Sequence, residues 1–596
     1  MGMTATGGKV HVVRVRKSGY VDKQGRARDY SSAYLRRTYR EGGTVKNETV
    51  ANLSALPDHV IDLIDAGLKG QALVPAGEAV AITSSLPHGH VAAAHAMARA
   101  LGLPALLGPP GRDRDLALAL VISRVVAPAS KLSTLTWWAD TTLGADLGVA
   151  GASTGEVYVA MDWLEARQEE IEAALARRHL APAANPGRMA LFDLSSSWME
   201  GTCCPLAARG YSRDGKKGKL QIEYGLLTDP EGRPVAIRVF PGNAGDPAAF
   251  TAIVKIVRER FKLEKMVMVG DRGMITSARI DALNQPGDDG TAPSRYGWIT
   301  ALRAPAIRKL IADDGPLQLS LFDEQDLAEI TSGDFPGERL IACRNPVLAE
   351  ERARKREALL AATEKVLAPV IARVEGGRLA GAAKIGVAVG KEINKYNVAK
   401  HFDVAITDAA LTLTRKQAQI DDEAALDGIY VIRTPVPAAG MEAPAVVAAY
   451  KRLARVERDF RTIKADDLAL RPVFHHLEER VKAHVLICML AAYLTWHLRR
   501  AWAPLTFTDE HPPPRANPVT PARRSPAAQA KASRQHDVAG RPYRGFRGLL
   551  AHLATLTRNE VRFAGAKATV QMLAEPTSAQ RDAFNLIGAP IPLTLK

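Results

Sequence analysis

The sequence predicts an α/β protein with a mixed-sheet core, an inserted β-rich domain, and N-terminal β and helical domains. Three observations carry this. From residue 188, three apolar strand-like runs come in succession and then alternate with helical stretches, the order expected of a mixed sheet. That alternation breaks off near 304 and resumes at the apolar run Leu426–Thr434. Ahead of the core, residues 9–55 follow a two-residue hydrophobic period and residues 86–186 a helical one.

Taken in order, residues 1–85 read as a basic β-rich module. Val10, Val12, Val13 and Val15 make one strand run, and Tyr34–Tyr39 and Thr44–Val50 flank the turn signal Glu41-Gly42-Gly43. Residues 86–186 are helical, with apolar spacing over Val91–Leu101, Leu116–Val126 and Val157–Arg178 and breaks at Gly108-Pro109-Pro110-Gly111 and Gly148–Gly155. Such a segment suits DNA binding and equally suits a plain helical bundle. The core occupies 187–303 and 425–500. Its strands are Met189–Asp193, Leu220–Leu227, Val235–Phe240, Lys265–Val269, Tyr296–Leu302 and Leu426–Thr434, with helices near 247–261, 275–283, 444–464 and 476–499. Residues 304–424 form the insertion, in which short strands (Leu340–Cys343, Phe402–Ile406, Leu411–Thr414) accompany a long charged helix, Val347–Val374. The remainder, 501–596, begins as a flexible basic linker with seven prolines between Pro504 and Pro526 and ends in a short helical tail.

A length of 596 residues allows about four domains. The formal net charge of +15 favours a polyanionic partner, because Lys and Arg that neutralise phosphates release condensed counterions. About half of it sits in the first fifty residues, where eleven Lys and Arg face Asp22, Asp29, Glu41 and Glu48. A basic enzyme with no such partner would carry the same charge. The four cysteines, Cys203, Cys204, Cys343 and Cys488, show no C-x-x-C spacing, which argues against a disulfide framework or a zinc site and fits a reducing cytosol. Residues 1–10 contain no apolar signal region. The most apolar helical run, Val485–Trp496, is too short to span a bilayer.

Three acidic residues stand out by context. Asp193 ends the apolar run Met189–Phe192, and Asp271 ends the run Met266–Gly270 and precedes Arg272-Gly273. Glu457 lies on a predicted helix whose Val446, Tyr450, Leu453, Val456, Phe460 and Ile463 follow the spacing of a buried face. Side chains at the C-terminal ends of sheet strands point into the crevice where ligands bind in open α/β sheets. Carboxylates there are hard oxygen ligands for Mg²⁺, and a pair of such ions about 4 Å apart can activate an attacking oxygen and stabilise a leaving one. In a basic chain that points to phosphodiester chemistry on nucleic acid. Glu457, Arg461 and Lys464 fall on one helix line. They read either as an ordinary Glu–Arg pair or as a metal ligand followed by two phosphate contacts. Between the first two core strands, the loop Arg209–Lys219 carries Arg213, Lys216, Lys217 and Lys219. It reads as a backbone contact or as a solvated hairpin loop. Trp298 reads as a core residue or as a platform that stacks on an extruded base, and His475 as a packing or capping residue or as a contact to phosphate or catalytic water.

The ordered set of motifs resembles the DDE transposases of bacterial insertion sequences, in the group with a β-rich insertion between the second Asp and the Glu. The motifs are Phe192-Asp193-Leu-Ser-Ser-Ser, Gly210-Tyr-Ser-Arg-Asp-Gly215, Gly225-Leu-Leu, Val239-Phe-Pro-Gly-Asn243, Val269-Gly-Asp271-Arg-Gly273, Leu426-Asp-Gly-Ile-Tyr430 and Tyr450…Glu457…Lys464, with Arg471-Pro-Val-Phe-His475-His-Leu-Glu-Glu-Arg480-Val-Lys-Ala-His484 after them. The resemblance spans roughly 187–500, with a softer likeness at 9–70. One position departs: Leu453 stands where the family motif has Arg.

The resemblance implies an RNase H-like core and a catalytic, metal-holding triad of Asp193, Asp271 and Glu457. It implies Mg²⁺ as cofactor, with Mn²⁺ substituting, and DNA contacts from Arg272, Tyr450, Arg461, Lys464, Arg213, Lys216 and Lys217. It further implies terminal inverted repeats and target DNA as substrates, a homodimer on DNA, no membrane, and a cytoplasmic, nucleoid-associated location. Two other readings of the residues stay open: an RNase H-like nuclease or resolvase with the same triad, and a non-catalytic DNA-binding derivative.

Overall fold

The computed structural model describes residues 8–21, 23–71, 80–263, 265–272, 275, 296–312, 315–322, 325–515, 517–564 and 568–595. Apart from Ile275, the helix expected near 275–283 lies outside the described residues, as does Gly273. The chain divides into two compact units. One holds residues up to Leu86 together with Thr557–Ala574; the other holds Pro87–Leu556 with Glu575–Lys596.

In the first unit, β1 (Lys9–Val21), β2 (Ala27–Glu41) and β3 (Thr44–Asn52) form an antiparallel meander. Gly42 and Gly43 make its second turn with φ of +56° and +81°, left-handed values that two consecutive side-chain-bearing residues would resist. The helix Asp58–Leu68 covers one face, where Ala33, Leu53 and Ile61 pack with Val12, Leu35, Ala51 and Ile64. Arg14 fastens it through Asp58 and Asp62, at 3.4 and 2.5 Å. β4 (Val80–Pro87) belongs to a second small sheet of this unit.

The second unit opens with helices Gly89–Ala100, Arg112–Val126, Lys131–Ala139, Thr154–Ala166 and Gln168–His179. The helix expected over Val157–Arg178 is two, joined at Arg167, whose Nε donates to the Leu107 carbonyl at 2.7 Å. The sheet follows. β5 (Met189–Trp198), β6 (Gln221–Thr228) and β7 (Pro234–Pro241) run antiparallel in sequence. After the helix Asp246–Glu259, β8 (Val267–Val269) and β9 (Gly297–Ala301) add on parallel to β5.

The insertion departs from the β-rich domain expected of it. β10 (Leu327–Ile330) and β11 (Arg339–Arg344) join the main sheet. Leu340 to Cys343 are buried on both faces of β11, which is how an interior strand reads. What remains is largely helical (Pro346–Glu375, Ala382–Glu392, Gln417–Ala424), with one two-stranded ladder of β12 (Phe402–Ile406) and β13 (Leu411–Arg415). β14 (Ile429–Thr434) returns the chain to the sheet between β11 and β9. The eight strands lie in the order β10-β11-β14-β9-β8-β5-β6-β7, so the protein is mixed α/β with one large mixed sheet.

The helix Glu478–Ala501 runs beside β7 and the helices 112–126 and 154–166. It is long and apolar enough to cross a membrane, beyond the short run read from the sequence. Yet 83% of its apolar stretch is buried inside the protein, the position of a core helix. Residues 501–545 also differ from the flexible linker expected. Asn345 and Lys451 both donate to the Val519 carbonyl, at 3.2 and 2.5 Å. Buried Lys531 donates to Ala503 O at 2.9 Å and pairs with Glu510 at 2.6 Å. Its prolines therefore accompany an ordered strap. The tail is not all helical either: β15 (Thr557–Phe563) and β16 (Thr569–Leu573) form a hairpin in the first unit, with β15 beside β4.

Candidate active site

Four buried apolar residues, Met189 to Phe192, carry β5 through the middle of the sheet. The strand does not stop at Asp193, as the end of that run suggested, but continues to Trp198. Its neighbour stops instead. β8 ends at Val269, which pairs with Leu191 in parallel register. Asp193 is two residues beyond Leu191 and Asp271 two beyond Val269, so both acids emerge at one level of the sheet. On its other side Asp193 pairs with Leu226 of β6. The preceding residue of β6 is Gly225, where a Cβ would come 2.6 Å from the Phe192 ring.

Glu457 arrives from a different part of the chain. Leu453, Val456 and Phe460 bury one face of the helix Leu453–Arg461, which packs against β5, and the Phe460 ring meets Tyr224 at 5.7 Å. Glu457 follows Val456 on the exposed margin of that face. Position 453, where the family motif has Arg, is one of the buried contacts, and an apolar side chain is what that place holds.

The three charges act on one another. Burial pushes the Asp193 carboxyl up to about 7, and the negative charges of Asp271 and Glu457 push the same way. The Leu194 amide, 2.8 Å from Asp193 Oδ1, and Arg213 pull against them. An unfolded Asp ionises near 3.9, so between about pH 4 and 7 the metal-free fold holds a proton that the unfolded chain releases. The stability this proton confers is complete below the unfolded value and is lost as pH rises to about 7. Asp193→Asn cannot ionise and is expected to flatten that slope. Denaturant titrations in chelator between about pH 4 and 8 measure it, and an unchanged slope would show that Asp193 is not the group responsible.

As they stand, no three acidic, histidine or cysteine side chains among the described residues are close enough together to hold a metal ion. The donor chemistry nevertheless suits one. Three carboxylates are the hard ligands a magnesium-like cation takes, and a cation beside them would oppose both the burial and the mutual repulsion that raise Asp193. Tyr450 Oη donates to Asp271 Oδ1 at 3.4 Å. Burial and then the Asp271 charge push its hydroxyl well above the usual range, so it remains a donor.

The basic residues divide into two groups. Arg272, Arg461, Lys216 and Lys217 are exposed. Arg213 is half-buried, with its NH1 3.3 Å from Glu223 Oε1 and its amide on Ser196 Oγ. Lys464 is not on the helix line with Glu457 and Arg461. The helix widens into a π-turn over Thr462–Asp466, which rotates Lys464 inward, and its Nζ lies 2.8 Å from Asp214 Oδ1. Arg471 reaches the same carboxylate at 2.5 Å, while Asp214 Oδ2 accepts the Trp198 amide at 3.3 Å. Asp214 was legible only as one letter of the Gly210–Gly215 motif; its signal was an acid set among Arg213, Lys216 and Lys217. Gly210 of that motif is steric: a Cβ there would lie 2.1 Å from the Gly242 carbonyl.

The profile of the transposase DDE domain matches residues 195–494, and that of the IS1634 family transposase N-terminal domain matches 21–74. The first match begins two residues past Asp193 and takes in Asp271 and Glu457. No curated protein matches the chain. Among solved structures, a piggyBac transposase in a synaptic complex with hairpin DNA is similar over 74% of this chain and 70% of its own, at 9% identity and a TM-score of 0.32. A likeness that low carries no weight for the fold. The DDE domain profile alone spans just over half of the chain, with an insertion-sequence N-terminal domain ahead of it, and this protein belongs to the DDE transposases of insertion sequences.

Proposed function

We propose that this transposase binds the terminal inverted repeats of its own element, frees 3′-OH ends by hydrolysis and joins them to target DNA, on an RNase H-like core. The observation that carries the reading is the β5/β8 register, which brings Asp193 and Asp271 to one level of the sheet beside the Glu457 helix. The strand arrangement β7-β6-β5-β8-β9, antiparallel and then parallel, supports the RNase H-like core.

Asp193, Asp271 and Glu457 are the residues that would hold two Mg²⁺ ions, or Mn²⁺ in their place, which when bound supply activation of the attacking oxygen and stabilisation of the leaving one. The other roles belong to the chain. Asp193 gives up its proton before it can act as a ligand. Tyr450 steadies Asp271. Exposed Arg272 and Arg461 flank the acids and meet backbone phosphates, as do Lys216 and Lys217 on the loop after β5. Lys464, through Asp214, fastens that loop and Arg213 with it. Basic N-terminal segments read the repeats, and a homodimer pairs the two ends.

The test is a Mg²⁺ cleavage and strand-transfer assay on labelled DNA carrying the gene's own flanking ends, with Asp271→Ala as control. Nicking and joined products, both lost in the variant, are the expected result. Nicking without joining would make the protein a nuclease. End binding without cleavage by either protein would make it a DNA-binding derivative.

A further inference from the structure

The helix Arg112–Val126 bends sharply into the helix Lys131–Ala139, and the turn between them faces the segment Ala469–His475 that follows the Glu457 helix. Between them is a cavity of about 480 Å³. Its floor is cationic: Arg124 and Lys131 are 5% and 6% exposed. Arg124 NH1 reaches the Leu468 carbonyl at 3.4 Å, and among the described residues neither cation is paired with a carboxylate. His484 Nε2 lies 3.2 Å from the Leu470 carbonyl and so carries the ring proton, which leaves Nδ1 to accept from Lys131 Nζ at 3.2 Å. That contact uses one of the three donors of the ammonium. Arg471, also on the wall, shares the single carboxylate of Asp214 with Lys464.

Three groups here are shifted by burial first and then by the neighbouring cations. Burial, then Arg124, lowers Lys131 to about 7. Burial, then Lys131 and Arg124, lowers His475 to about 3 and His484 well below its usual value. Buried cations are ordinarily paired, since nothing else offsets their lost hydration. The nine-residue helix Lys131–Ala139 also begins at this cavity, capped by Ser130, and the positive end of its dipole adds to the same field. At the mouth, Leu132 and Phe474 are 62% and 59% exposed, an apolar rim suited to an anion carried on an organic group.

We propose that this cavity binds a phosphate-class anion on Arg124 and Lys131. A DNA backbone phosphate and free phosphate share that chemistry. The DNA source rests on the transposase reading, whereas the anion site rests on the cavity alone. β5 links the two places: the Val473 amide donates to the Trp198 carbonyl at 3.2 Å, and Trp198 ends the strand that carries Asp193, roughly 17 Å away at strand rise. The segment that walls the cavity is thereby fastened to the far end of the strand that carries Asp193.

The experiment is equilibrium dialysis of radiolabelled inorganic phosphate against the full-length protein in chelator, at fixed ionic strength, for the wild type and Lys131→Met. About one phosphate per chain is expected. The variant should bind roughly 10- to 100-fold more weakly, the value of one charge-assisted contact. No phosphate bound by the wild type, or equal binding by the variant, overturns the proposal. Lys131→Met removes a buried unpaired charge and should fold; if it does not, the wild-type stoichiometry decides. A duplex carrying the gene's flanking end is then added. Displacement of the labelled phosphate identifies the strand as the source, and DNA bound with phosphate retained identifies the free anion. A failure of end binding or cleavage would sink the transposase reading and leave the dialysis result standing.

Discussion

Glu457→Gln is expected to bind transposon-end DNA as the wild type does and to cleave it about 10³-fold more slowly in Mg²⁺. That factor corresponds to several kcal/mol of lost charge stabilisation, at about 1.36 kcal/mol per decade. This variant is the cleanest of the three acids to test. Glu457 is exposed at the margin of its helix, so replacing it should change stability by no more than about 0.5 kcal/mol. Asp193 is half-buried, and its replacement would also alter folding through the proton it holds. A melting temperature matching the wild type, equal end affinity in gel shift and lost cleavage would together assign Glu457 to the metal site. Cleavage within tenfold of the wild type would remove Glu457 from the metal site.

Asp214→Asn should destabilise the second unit by about 3–5 kcal/mol, the usual cost of leaving a buried cation without its counter-charge. The Asp214 side chain is 1% exposed and that of Lys464 10%, so solvent cannot replace the lost carboxylate. Arg471 loses its partner as well. The double variant Asp214→Asn/Lys464→Met removes a stranded charge along with the acid and should recover part of the loss. Urea titrations of the three proteins measure both effects. If Asp214→Asn costs less than about 1 kcal/mol, the value of an exposed pair, the loop is not held through this contact. DNA affinity should fall with stability, because the same carboxylate fastens the loop that displays Lys216 and Lys217.

The strands of the core were legible because burial on both faces leaves unbroken apolar runs: Met189–Phe192, Val267–Val269 and Ile429–Thr434 all fall where those runs lie. The insertion was harder to read. Leu340–Cys343 looks the same whether it forms a small domain of its own or pairs with β14, since a short apolar run carries no record of its partner. The proline-rich stretch read as flexible because its composition resembles a linker, and the contacts of Val519 and Lys531 that hold it come from residues far away in sequence. The hairpin Thr557–Leu573 was missed because its strands are short and β16 is mostly exposed, so they show little hydrophobic period.

For the candidate site, the sequence by itself determined the kinds of group available: three carboxylates in motif contexts, a basic loop, and a helix with one buried face. Local order and residue chemistry are written in neighbouring letters. Only the tertiary structure decided which groups meet. The parallel register of β5 and β8 sets Asp193 level with Asp271, though they are far apart in the chain. A π-turn, invisible in the helical spacing, takes Lys464 out of line with Glu457 and sets it on Asp214. Arg124 and Lys131, which the sequence did not distinguish, come to share one cavity with His484 because two helices and a return segment close around it. Charge without a nearby counter-charge is a property of that assembled space, not of any stretch of the chain.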